Sequence, residues 1–333
     1  MTFLRALSRT TAAATLALGL AATLPLAAGA ETLKMRISGE NPMTGLDLQM
    51  AERFAQNLKA ELGDAFEYEF FHTQALGNEE VHMQMIRTGQ IDVYPMGSDA
   101  VSLDSKWAAF DMPFLFSDRA TVARLLDGEI GEEMRQSMRA AAGLHVLAFG
   151  ELGFRHITNN VRPVVKPEDL SGIKIRVPGS KARILAFTTF GAQPISMNLG
   201  ELYLALQQGT VDAQENPVNT VKNRSFFEVQ KYLSLSGHVY SPVTLVMNAA
   251  KYDSLTDDQR AAVNRAAQEA AEYTRGLGTQ ADATLVDELK KSMEVNEIDL
   301  AAFQAAAAPI WTEVGNMAGA DFAAKVVAAA QAK

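Results

Sequence analysis

GELGFRHITNNVRPVVKPEDLSGIKIRVPGSKARILAFTTFGAQPISMNLGELYLALQQGTVDAQENP, residues 150–217, contains two short apolar segments that each place one arginine among neutral neighbours. Arg155 follows Gly153 and Phe154, and Arg176 stands in the run from Ile173 to Pro178. Burying an unpaired charge costs several kcal/mol or more, so each guanidinium needs a partner. Neither short segment contains an acid. The partner therefore comes from elsewhere in the fold, or from a ligand carrying a carboxylate or phosphate. A guanidinium suits either, because its rigid fork of donors matches two oxygens at once. On the residues alone the two readings are even for Arg176. For Arg155 the structural ion pair is favoured.

Working outward towards the N-terminus, the pattern alternates strand and helix. Leu33 to Ser38 alternates apolar and polar and predicts a first strand. Thr44 can cap a helix running to about Leu62, with Leu48, Phe54, Ala55 and Leu58 near one face and Gly63 beyond its end. Phe66 to Phe71 predicts a second strand. Asn78 caps a helix with Val81, Met85 and Ile86 inward and Gly89 at its end, and Ile91 to Met96 predicts a third strand. This order implies a parallel sheet with right-handed crossovers. Ligands of such sheets meet the loops beyond the strand carboxyl ends, here residues 38–44, 72–79 and 97–101. Ser38, Glu40, Glu79, Ser98 and Asp99 are the polar candidates there. By itself Glu79 reads as an acid favourable at a helix start. Asp111 to Phe116 reads as an apolar connector, Asp118 as the start of a helix to about Arg139, and Leu144 to Phe149 as a strand.

Towards the C-terminus, Ser180 to Phe190 predicts a helix. Asn198 with Glu201 makes a capping box before Leu202 to Leu206. Val211 to Ala213 predicts a short strand, broken at Asn216 and Pro217, where Asn216 alone reads as a turn residue. Arg162, Lys166, Lys181 and Arg183 read as solvated faces. Strands are expected around Tyr232 to Leu235 and Val243 to Asn248. A second capping box, Thr256 with Gln259, opens a long helix with Val263, Ala267, Ala270, Thr274, Leu277, Ala281, Leu285 and Leu289 at helical spacing. Unbroken to Ser292 it would span roughly 55 Å, enough to tie two lobes together, with Gly276 and Gly278 marking a bend. Two or three alanine-rich helices complete the chain.

At 333 residues the chain is comfortable for two domains. Met1 to Ala30 reads as a secretory signal: Arg5 and Arg9 at the start, an apolar region from Thr11 to Leu26, and small residues at 28–30. Cleavage after Ala30 would remove two positive charges and take the net charge from −9 to −11. That balance argues against nucleic acid and anionic membrane surfaces as partners. The chain has no cysteine, which removes disulfides, cysteine–zinc sites, cysteine nucleophiles and a lipoprotein anchor.

Further residues in the same block carry a resemblance. Gly153, Phe154 and Arg155, then Thr158 and Asn159, Arg162 and Pro163, Asp169 and Leu170, Gly172, Lys174, and Arg176 to Pro178 are one part of it. Gly191 and Ala192, Glu201 to Tyr203, Ala205 to Gln207, Val211 and Asp212, Gln214 to Pro217, Phe227 to Tyr232 and His238 continue it. The pattern resembles the solute-binding proteins of TRAP (tripartite ATP-independent periplasmic) transporters, with one departure, Ala213 where the family usually has glycine. The resemblance implies an α/β, two-lobed periplasmic binding protein fold. Mixed β-sheets flanked by helices would form the lobes, joined by hinge strands and the long helix. Lobe I would hold residues 31–152 plus about 242–281, and lobe II residues 153–241 plus about 282–333. It implies that Arg176 anchors a ligand carboxylate and that Arg155 helps hold it. Asn216 would face the cleft, and Glu79 would contact ligand hydroxyls, with Ser38, Ser98 and Asp99 as further candidates. The implied function is capture of an organic acid in the periplasm and delivery to a small and a large integral membrane subunit, by a monomer without a cofactor.

No phosphate-cradling loop, dinucleotide fingerprint, nucleophile elbow or metal-ligand spacing of the five histidines occurs in the sequence. Sugar acids and four-carbon dicarboxylates are the leading ligand classes. A dicarboxylate would want a second cation across the cleft, and the loops at 38–44, 72–79 and 97–101 offer none, so a sugar acid is favoured. A periplasmic enzyme or sensor acting on a small carboxylate is the alternative reading.

Overall fold

The computed structural model describes residues 32–332; the expected export signal and its cleavage site after Ala30 lie outside the described residues. One nine-stranded mixed sheet organises the chain. Its strands are β1 (Leu33–Ser38), β2 (Phe66–Phe71), β3 (Val93–Met96), β4 (Leu144–Asn159), β5 (Lys174–Val177), β6 (Gln193–Ser196), β7 (Ala213–Asn216), β8 (Tyr232–Asn248) and β9 (Glu294–Glu297). They lie in the order β2-β1-β3-β8-β4-β7-β5-β6, with β9 paired to β8.

The first three strands and their crossover helices run as the hydrophobic pattern predicts. β1 and β2 pair in parallel from Leu33↔Phe66 to Ser38↔Phe71. Alternating side chains of β1, Met35 and Ile37 among them, are buried with Phe54 and Val93 in a core closed by Val263 and Ala267 of the long helix. The helix Glu79–Arg87 is capped by Asn78, whose Oδ1 accepts the Val81 amide at 3.1 Å. Two expected caps are not made. The helix Leu46–Leu62 starts at Gly45 rather than Thr44, and Asn198 opens a 3₁₀ turn without a side-chain cap. The helix expected from Asp118 to Arg139 is two helices, Arg119–Asp127 and Glu129–Ala142, separated at Gly128.

The largest difference from the sequence reading lies in β4 and β8. Each was expected as separate short segments, and each is one long strand of 16 and 17 residues. They pair antiparallel from Leu144↔Asn248 to Asn159↔Tyr232, with register shifts at Val146/Ala148, Glu151/Gly153 and Arg155/Ile157. The bulges accommodate the residues that looked like breakers. Gly153 sits at φ 114°, a conformation that favours glycine. Pro242 faces Glu151 beside that same shift. Beyond the shift, β7 joins β4, and β5 and β6 follow in parallel. The same two strands therefore serve both halves of the sheet, which runs through them without a break.

The long helix, Asp257–Leu289, is roughly 50 Å long at 1.5 Å per residue. Its capping box forms as expected, with Thr256 and Gln259 bonding reciprocally at 3.0 and 3.2 Å. It packs on the helix Leu46–Leu62 and on β4, and reaches the helix Val218–Asn223 in the other half. Among the described residues no helix is long and apolar enough to cross a membrane.

Candidate functional site

The loops after β1 and β3 face the ends of β5 and β7 across a cleft. Residues from both sides line one cavity of about 50 Å³ there. Glu40, Asp47, Glu79 and Asp99 come from the first side, and Arg155, Arg176 and Asn216 from β4, β5 and β7. A larger depression of about 630 Å³ lies elsewhere, between Pro113–Thr121 and the C-terminal helices. Its walls are mainly apolar and offer no convergent charge, so the smaller, charged cleft is the site.

Arg176 lies in β5 between Ile195 of β6 and Gln214 of β7, and only 2% of it is exposed. Its Nε donates to the Met197 carbonyl at 2.8 Å. Among the described residues no carboxylate lies within salt-bridge distance of its guanidinium, and its side chain borders the cavity. Burial pushes its pKa down to about 10, opposed by the Glu79 carboxyl across the cleft. A buried guanidinium with its terminal nitrogens free of acids has the chemistry to pair with an anion.

Arg155 is different. Its Nε donates to Glu215 Oε2 at 2.6 Å, and its Nη2 to Glu215 Oε1 at 3.0 Å and Asn216 Oδ1 at 2.9 Å. The partner that the sequence left open is thus an acid of the fold. Glu215 also accepts from Arg183 Nη1 at 2.8 Å and lies 3.0 Å from His238 Nε2. Arg183 in turn donates to Asp111 Oδ1 at 2.8 Å, and Ser180 Oγ donates to Asp111 Oδ2 at 2.6 Å. Burial alone would raise the Glu215 pKa, but Arg155 and Arg183 hold it well below the usual carboxylate range. Two arginines and two acids balance behind the cleft, which leaves Arg176 uncompensated on that side.

This layer corrects two expectations. Arg183 was read as a solvated face and is fully buried; Asp111 was read as part of an apolar connector and is its partner. The signal was present in the helix Lys181–Thr189: Arg183 shares a stripe with the buried Ala186 and Phe187. Glu215 gave no such signal, since its partner lies 60 residues away in sequence.

On the opposite wall, Glu79 opens its helix half-buried and borders the cavity. Burial pushes its carboxyl up to about 8, with Asp99 and Glu40 adding and Arg176 opposing. Asp99 is buried, accepts the Tyr94 hydroxyl at 3.2 Å, and is pushed up to about 7 by burial and then by Glu40. Asp47 is pushed up to about 6 by burial, against the hydrogen bond from Asn41 at 2.7 Å. One oxygen each of Glu40 and Asp47 is buried without any partner. Ser98 lines the cavity, its Oγ 3.3 Å from Ser241 Oγ. Ser38 does not line it: fully buried, its hydroxyl is engaged with His82 Nε2 at 2.8 Å, and His82 Nδ1 faces the Asn78 carbonyl at 2.8 Å. Asn216 is held between Arg155 and Gln214, its Nδ2 donating to Gln214 Oε1 at 2.6 Å.

Contacts across the mouth hold the cleft closed. Arg224 Nε and Nη2 donate to Asn41 Oδ1 at 2.9 and 2.6 Å. Asn223 Nδ2 donates to the Thr44 carbonyl at 2.7 Å. A closed cleft with one free guanidinium facing four carboxyls suits a ligand with one carboxylate and a body rich in hydrogen-bond donors.

Residues 37–317 match the family described as bacterial extracellular solute-binding protein, family 7. The chain is 38% identical over 288 residues to the 2,3-diketo-L-gulonate-binding periplasmic protein YiaO of Escherichia coli K12, covering 86% of this chain and 87% of that one. A TRAP periplasmic solute-binding protein from Polaromonas, solved with D-erythronate, superposes with a TM-score of 0.86 at 32% identity, covering 90% of this chain and 99% of that one. The sugar acid binding protein DctPAm of Advenella mimigardefordensis, solved with galactonate, gives a TM-score of 0.86 at 28% identity, over 90% and 98% of the two chains.

Proposed function

Because the chain belongs to the bacterial extracellular solute-binding proteins of family 7, the TRAP solute-binding family, we propose that it captures a sugar acid in this cleft. It would do so in the periplasm and deliver the acid to small and large TRAP membrane subunits. The observation that carries the reading is Arg176: a buried guanidinium that borders the cavity with no carboxylate within salt-bridge distance among the described residues. The ligand carboxylate docks there. Arg155 and Asn216 complete the pocket floor; Arg155, already paired with Glu215, contributes position more than charge. Across the cleft, Glu40, Asp47, Glu79 and Asp99 accept hydrogen bonds from ligand hydroxyls and repel a second carboxylate. That asymmetry favours a hydroxyl-rich monocarboxylate over a four-carbon dicarboxylate. The acids bound by the similar proteins, diketogulonate, erythronate and galactonate, support the same class.

The lobes would be those bounded near residue 152, with the closed form stabilised by the ligand through its greater affinity for that state. A thermal-shift panel of aldonates, uronates, diketogulonate, succinate and the matching neutral sugars tests the reading. Ligand at a hundred times its dissociation constant adds about 2.7 kcal/mol of stability. A shift with one monocarboxylate class and none with its neutral sugar is expected. Equal shifts with neutral sugars, or no shift with any acid, would overturn the assignment.

A further inference from the structure

The cleft carries more acid than its bases can balance. Glu40, Asp47, Glu79 and Asp99 all border one small cavity, and the only guanidinium there without an acid partner among the described residues is Arg176. One oxygen of Glu40 and one of Asp47 are buried with no hydrogen-bond partner at all. A buried ionised carboxylate left without a donor is costly, and it gains a proton before it tolerates that state. The ligand arriving at Arg176 brings a further negative charge. It pairs with Arg176 and leaves the acidic wall, among the described residues, with Arg224 beside Asp47 as its remaining cation.

We propose that closing the cleft on its ligand takes up about one proton from solvent, shared between the Glu79 and Asp99 carboxyls. Capture is then tighter in mildly acidic than in alkaline solution. This rests on the sugar-acid reading of the cleft. The groups that face these carboxyls come from every element around them. Glu79 meets Asp99, Glu40, its own neighbour Glu80 and, across the cleft, Arg176. Asp99 meets Glu40 and the Tyr94 hydroxyl. Asp47 meets Asn41, Glu40 and Arg224. His82 stacks on Tyr94 behind the wall at 5.3 Å, and burial pushes its imidazole down. The acids therefore outnumber the cations from all sides. In the open cleft water solvates the same carboxyls and they ionise in the ordinary range. Closure raises them, with Glu79 at about 8 and Asp99 at about 7, so the closed state holds a proton between those limits that the open state has released. The proton comes from water or buffer, and the ligand carboxylate stays ionised on Arg176. The protonated carboxyl then donates as well as accepts, which lets it bond a hydroxyl or a ring oxygen.

The test is calorimetry of the mature protein with the sugar acid that the panel identifies, at pH 7, in buffers of different ionisation enthalpy. The slope of observed heat against buffer enthalpy should give uptake of about one proton per ligand. The dissociation constant should rise by up to about tenfold per pH unit from pH 6 to 8. Glu79→Gln should reduce the proton number, while Glu272→Gln, exposed on the long helix Asp257–Leu289, should leave it unchanged. Binding with heats independent of buffer overturns the proposal and spares the sugar-acid reading. Failure of every acid in the panel to bind overturns both.

Discussion

Arg155 and Glu215 form a two-toothed ion pair, Nε to Oε2 at 2.6 Å and Nη2 to Oε1 at 3.0 Å, with both side chains buried. The pair is complete before any ligand arrives. It separates the two arginines that look alike in sequence: one is tied into the fold, and the other, Arg176, has no carboxylate within salt-bridge distance among the described residues.

Replacing Arg176 by alanine should therefore cost roughly 2–5 kcal/mol of ligand binding, as for truncation of one partner of a buried charge pair. The unliganded protein should lose little stability, because the deleted guanidinium has no acid partner to strand. Calorimetric titration beside a denaturant melt checks both halves. Wild-type affinity in the variant would remove Arg176 as the anchor.

Glu215→Ala should behave in the opposite way. It leaves Arg155 and part of Arg183 buried without a carboxylate, a change that costs roughly 3–5 kcal/mol of folding stability. Urea unfolding of the unliganded protein measures it. A loss well below 1 kcal/mol would mean that Asp111 or water compensates the exposed guanidiniums.

The histidine contribution to stability should fall as pH drops below about 6.5, while Asp47, Glu79 and Asp99, raised in the fold, pull the other way. His156 is half-buried in β4, and its Nδ1 accepts the Gly237 amide at 3.0 Å, which requires a bare lone pair. Burial pushes its imidazole down to about 3, and His238 is lowered by burial as well. The unfolded chain binds protons at the ordinary histidine value and the native state does not. The histidine contribution is thus complete above the unfolded pKa and is lost progressively as pH falls from there towards 3. Glu215, depressed in the fold, adds a second loss below its ordinary value of 4.5. Midpoints of chemical unfolding at several pH values trace the curve, and His156→Asn should flatten its upper part.

The two glycines of the long helix should respond with opposite signs. A Cβ at Gly276 meets open space, so Gly276→Ala should stabilise by roughly 0.5–1 kcal/mol. A Cβ at Gly278 falls on the carboxylate of Glu151, which holds Arg119 Nε at 2.6 Å and the Tyr240 hydroxyl at 3.1 Å. Gly278→Ala should cost about 1–3 kcal/mol, in the range of other overpacked sites. Thermal melts of the two variants side by side decide it.

Arg224→Ala removes the guanidinium that reaches Asn41 across the mouth of the cleft. Affinity should weaken about tenfold, in keeping with one hydrogen bond to a charged group, and mainly through faster release. Small-angle scattering should show a more open unliganded protein.

Much of this architecture was legible in the sequence. β1 and β2 begin and end where alternation places them, and the Thr256 capping box marks the start of the long helix within a residue. Local signals of that kind need only neighbours in sequence. The continuity of β4 and β8 was not legible, because Gly150, Gly153, Gly237 and Pro242 are ordinary strand breakers and only the partner strand tells a bulge from an end. The cleft divided along the same line. The sequence singled out seven of the cavity's lining residues as candidates by their place in loops and by resemblance. It did not show that Arg155 is paired with Glu215, nor that Ser38 turns to His82, since both depend on contacts distant in sequence.

The pairing of β4 with β8 also sets an order of assembly during synthesis. Leu144 waits for Asn248, and β3 waits for the same strand, with Val93 opposite Met247. The first half of the sheet cannot close until more than two-thirds of the chain has been made. Until then β3 presents an unpaired edge, and the entropy of closing so long a loop slows its capture. A nascent chain built this way stays unfolded late, at the mercy of whatever holds or sequesters it. The continuous pairing of β4 with β8 that joins both halves of the sheet is also what postpones the completion of either.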